Sequence, residues 1–252
     1  AEDAGTRARH ALIQYAIHSH VGIDLGKDQA TGGLSKYAKD KVAQDTGIQI
    51  INDVHGLLVY AGGSNTKFIR GNPVTIILGR QETDFISRVQ HAYTQKFQLS
   101  NKERVAFELF SGSQFELSTR SRFITLVMAI EALLQPADRE ERAQEHVTRL
   151  IDLTTNSALQ ENERTSIIGS LKWLYQESIG KTGKRLADKL LGNEKYADKT
   201  PASFFTKCYT IRSQLVHNGT LSDQKTHIDS WVGELERFVA DLLKASIRPV
   251  DA

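Results

Sequence analysis

Residues 201–219 read PASFFTKCYTIRSQLVHNG, and this stretch decides what the C-terminal part of the chain must be. Pro201 suits the first turn of a helix, where no intrahelical N–H is needed. Residues 202–218 then run without a breaker to an Asn218-Gly219 turn. At about 100° per residue, Phe204, Cys208, Ile211 and Leu215 fall on one face. That face is apolar and predicts burial. Thr206, Thr210, Ser213 and His217 share a second face. An ordinary solvent face would carry Lys, Glu and Gln there, so small hydroxyls ending in a histidine point to the close approach of a helix, a second subunit or a ligand. Lys207, Gln214 and Asn218 form a third, conventional polar face.

Working outward, the segments on both sides also follow the helical period. Residues 119–134, TRSRFITLVMAIEALL, are apolar over most of the circumference and predict a core helix stopped by Pro136. Ser100 or Asn101 is placed to cap a helix over 102–110. Amphipathic helices are predicted over 138–153, 162–179 and 183–191, the last stopped by Gly192. A final helix over about 222–246 repeats Trp231, Leu235, Phe238 and Leu242. Before residue 98 the signals are mixed. Helices are predicted over 7–19, 34–44 and 83–93. Between them lie the β-prone runs IQII (48–51), GLLVYA (56–61) and VTIIL (74–78), separated by turn residues such as Gly62-Gly63-Ser64-Asn65. The expected fold class is therefore α+β: a mixed α/β region with a small sheet over 1–98, and an all-α bundle over 99–248.

Composition narrows the function classes. Hydrophobic residues at 40% and charged residues at 25% describe a globular chain. No apolar run approaches the roughly 18 residues of a membrane span, and no basic start with an apolar middle marks a signal peptide. The chain starts at Ala1 rather than a Met, which leaves an upstream piece open. A single cysteine, Cys208, excludes an internal disulfide and a multi-Cys zinc site, and points to a reducing, cytoplasmic setting. With no HExxH and no paired Cys motif, no metal or other cofactor is expected. Net charge is only +2, but residues 172–212 hold nine basic against four acidic side chains, a balance of +5. Such a patch attracts phosphates.

Arg212 and His217 lie at the foot of this patch. A guanidinium grips a phosphate through a fixed fork, and an imidazole moves protons near neutral pH. Spacing alone does not single them out. A chain with this many Arg and His residues should show about one or two such pairs by chance, and a second, Arg139-x6-His146, is present in a charged helix. The setting does. The helix RFITLVMAIEALL (122–134), the segment SLKWLYQESIGKTGKRLADKLL (170–191) and YTIRSQLVHNG (209–219) come in the order of the HEPN family. Over residues 100–246 the chain resembles most closely its Apea-like branch.

That resemblance implies a helical bundle, a homodimer joined through the 202–218 helix, and metal-independent endoribonuclease activity of toxin or antiphage type. Attack by a ribose 2′-hydroxyl would leave a cyclic phosphate. His217 is then the general acid or base. Arg212 holds the phosphate and its developing charge. Glu131 orients one of them, and Ser213 occupies the position after the arginine where the family often has Asn, Asp or His. Lys181, Lys184, Arg185, Lys207, Tyr209 and Asn218 are the expected RNA-binding residues, with RNA, tRNA included, as the partner and no membrane. The alternative is a non-catalytic HEPN module that binds RNA or a nucleotide, or only dimerises. The regulatory tyrosine found two residues past the histidine in some members is replaced by Gly219. Two further resemblances fail. Gly180-Lys181-Thr182 lacks the first glycine of a P-loop, and the GxxG of Gly180–Gly183 lacks the strands of a KH domain.

Overall fold

The computed structural model describes residues 2–26, 35–47, 82–94, 99–222 and 227–247. The chain forms two units, one of Ala1–Ser100 with Ile247–Ala252, the other of Asn101–Ser246.

In the first unit, α1 (Glu2–Ser19), α2 (Lys36–Thr46) and α3 (Glu82–Thr94) are described. Helix α1 packs on α3: Tyr15 meets Phe85 edge to face with centroids 4.8 Å apart, and the Arg7 guanidinium lies 5.0 Å from the Tyr93 ring centre. Ala11, Ile13, Ala16 and Ile17 are buried. Ser35 caps α2, its hydroxyl accepting from the Ala38 N–H, and Gly47 ends it in the left-handed conformation.

The α+β expectation is corrected. Among the described residues there are ten α-helices and no strand, so no sheet supports a mixed α/β first region. The three β-prone runs at 48–51, 56–61 and 74–78 lie outside the described residues. A short apolar run carries no period that separates a strand from a buried helical turn.

The second unit contains α4 (Asn101–Ser113), α5 (Thr119–Leu133), α6 (Glu141–Thr155), α7 (Glu161–Lys172), a 3-10 turn (Trp173–Tyr175), α8 (Ile179–Leu191), α9 (Pro201–Asn218) and α10 (Asp229–Ser246). Helix α5 is central and packs on α4, α8, α9 and α10. Phe110, Phe123, Leu126, Phe204, Phe205, Leu235, Phe238 and Leu242 are fully buried. An aromatic cluster joins α9 to α10, with Phe204 5.1 Å from Phe238 and 5.7 Å from Trp231, centroid to centroid. The Tyr196 ring closes it, and its hydroxyl donates to Asp241 at 3.0 Å.

Two local expectations change. The predicted helix over 162–179 ends at Lys172, because Gln176 is extended and Ser178 caps a new helix by accepting from the Lys181 N–H. Gly180–Gly183 therefore forms the first turns of α8 rather than a loop between helices. Gly183 is there for packing: a Cβ added to it would stand 2.1 Å from the Phe205 ring. Only glycine lets α8 approach α9 this closely.

Candidate functional site

Helix α9 presents the site, and both of its ends are held. At the start, the Thr200 hydroxyl accepts from the Ser203 N–H, and Pro201 occupies the first turn. At the end, Gly219 takes the left-handed conformation with φ 69°. Gln214 then grips the returning chain twice: its amide N–H donates to Ser222 Oγ at 2.8 Å, and the Ser222 N–H donates to its Oε1 at 3.2 Å. His217 and Asn218 thus lie exposed on a helix end whose geometry is fixed from below.

Arg212 faces α5. Its Nη2 donates to Glu131 Oε2 at 3.2 Å, and the two side chains are 22% and 24% exposed. Burial raises the Glu131 carboxyl above its ordinary value, and the opposing pull of Arg212 does not cancel it. The Arg212 Nε is buried without a hydrogen-bond partner. His217 follows five residues later, about 140° around the axis and about 7.5 Å along it. Among the described residues its ring makes no hydrogen bond or ion pair.

The hydroxyl face is partly satisfied by its own helix. Thr206 Oγ1 donates to the Ala202 carbonyl at 2.7 Å, and Thr210 Oγ1 to that of Thr206 at 2.9 Å. Ser213 stays half-buried on the same face.

The basic residues divide into two sets. Lys181 and Arg185 converge on Glu177, each at 3.1 Å, and Arg185 also donates to the Gln135 carbonyl at the end of α5. The Lys181 hydrogen bond, followed by the charges of Lys181 and Arg185, holds the Glu177 carboxyl below its ordinary value. These two cations are therefore fixed and partly neutralised. Lys184 is exposed and Lys207 half-buried, and neither forms an ion pair among the described residues. Tyr209 is half-buried and stacks on Phe205 at 5.7 Å.

Two further contacts shape the site. Glu177 is legible as the i, i+4 partner of Lys181. The Gln214–Ser222 clasp has no local sequence signal. Arg139, of the second Arg/His pair, precedes α6 and donates through Nε to the Gln176 carbonyl, which ties the start of α6 to the turn before α8.

Compared with known proteins, the chain matches no family model, no curated protein and no solved structure.

Proposed function

We propose that the chain is a metal-independent endoribonuclease of the HEPN type, working in the cytoplasm as a homodimer through α9, as a toxin or antiphage effector. The observation that carries this reading is the end of α9: an exposed His217 with no partner of its own among the described residues, on the same helix as Arg212. A neutral imidazole there can take the proton from a ribose 2′-hydroxyl as its oxygen attacks phosphorus. The 5′-oxygen leaves with a proton from a second acid, supplied in a dimer by the other copy's imidazole. Arg212 answers the negative charge that builds on the phosphate oxygens. In its present state Arg212 is shared with Glu131, so substrate must compete for the guanidinium or use its remaining N–H groups. Of the expected RNA-binding cations, Lys184 and Lys207 are the ones Glu177 does not engage, which leaves their charge for the RNA backbone.

The test is cleavage of RNA in EDTA. His217→Ala is expected to lower the rate by about 10²–10⁴-fold, with wild-type products ending in 2′,3′-cyclic phosphate. Equal cleavage by both proteins, or none by the wild type, would overturn the proposal. The Glu131–Arg212 pair favours a second reading, a non-catalytic RNA-binding module. That module would bind RNA equally well after His217→Ala, with affinity falling steeply as salt rises.

A further inference from the structure

Helix α7 buries none of its side chains. It packs on α6 and the 3-10 turn, and neither α6 nor α7 makes a substantial contact with the other helices of the unit. A helix of 12 residues with no buried face has little stability of its own in water. The open faces of the two helices differ. That of α6 is mostly charged, with Arg142, Glu145, Arg149 and Asp152 exposed around a single apolar side chain, Leu153. That of α7 carries Ser166, Gly169 and Ser170 and runs into Trp173, which is 78% exposed. A Cβ on Gly169 would meet nothing within 4 Å. A strip of small residues, bordered by the exposed Glu163, lets another helix axis come close, and an exposed Trp is an aromatic anchor for such a contact.

The charges at the two ends of α7 say what fits. Glu161 and Lys172 are 11 residues apart, hence within about 20° of each other around the axis and about 16 Å apart along it. They mark the same edge of the open face at opposite ends. Neither has an ion-pair partner among the described residues. A two-fold axis through the middle of the helix, near Ser166, sets Lys172 of one copy beside Glu161 of the other, twice.

We infer that the open face of α7 is a self-association surface, on which α7 of a second copy of this chain packs antiparallel across the Ser166–Gly169 strip. This surface is separate from α9 and does not rest on the nuclease reading.

The test is sedimentation equilibrium of the full chain over a concentration series. Gly169→Arg, whose Cβ stands in open space, should halve the mass of the largest species while the circular dichroism spectrum stays that of wild type. Lys172→Glu should raise the dissociation constant about tenfold, as two symmetry-related pairs contribute about threefold each. Glu161→Lys combined with Lys172→Glu should bring it back to within about threefold of wild type, because reversing both charges restores the pair. His217→Ala should leave this association unchanged. Identical masses for wild type and Gly169→Arg at every concentration would overturn the inference. So would a double variant no better than Lys172→Glu alone, since only the antiparallel pairing predicts that rescue.

Discussion

Helices α9 and α7 belong to one unit and are held in opposite ways. Helix α9 buries Phe204, Phe205, Cys208, Ile211 and Leu215 against α5, α8 and α10, and is clamped at both ends. Of its polar side chains, Arg212 is turned toward α5 and His217 lies at the exposed end. Helix α7 buries nothing and has no side-chain N-cap hydrogen bond. A rigid scaffold suits a site that must hold reacting groups in place. A helix that is sparsely packed within its own chain suits a surface completed by a partner. Solvent exposure thus means different things on the two: at His217 it is an exposed end on a fixed frame, and along α7 it is an incomplete contact.

The contrast breaks most visibly at Phe204. Phe204→Ala should lower unfolding free energy by about 3–5 kcal/mol in denaturant titration, whereas Ile167→Ala on α7, already 40% exposed, should lower it by less than about 1 kcal/mol. Similar losses at both would dissolve the distinction. The two glycines sharpen it. Gly183→Ala should cost about 1–3 kcal/mol, because the new Cβ must displace the Phe205 ring. Gly169→Ala, measured on dilute protein, should instead gain about 0.5–1 kcal/mol from helix propensity in open space. The smallest effect is confined to acid pH. The Glu131 carboxyl is raised in the folded state, so it favours folding below about 4.5 and loses that contribution as pH rises through its folded value. Wild-type stability should therefore fall relative to Glu131→Gln over that window. A constant difference between the two proteins would show that Arg212 fully compensates the burial of Glu131.

Much of this was legible before any coordinates. The faces of α9, the core character of α5 and the stops at Pro136, Gly192 and Gly219 follow from period and punctuation. The break after Lys172 is not, because Ile168, Leu171, Tyr175 and Ile179 keep a helical spacing across it while Ser178 starts a new helix. The expected sheet has no strand among the described residues, and short apolar runs lack a diagnostic period.

At the site, the sequence alone determined which side chains stand on one helix and in what angular order, with Arg212 and His217 about 140° apart and His217 in the last turn. The tertiary structure decided who their neighbours are. It set Arg212 against Glu131, 81 residues away in the chain, brought Arg185 to the Gln135 carbonyl, and closed α8 over Phe205 at Gly183. Helical order is local, repeating with the backbone period. Ion pairing and close packing depend on which faces meet, and that is settled only when the helices bury one another.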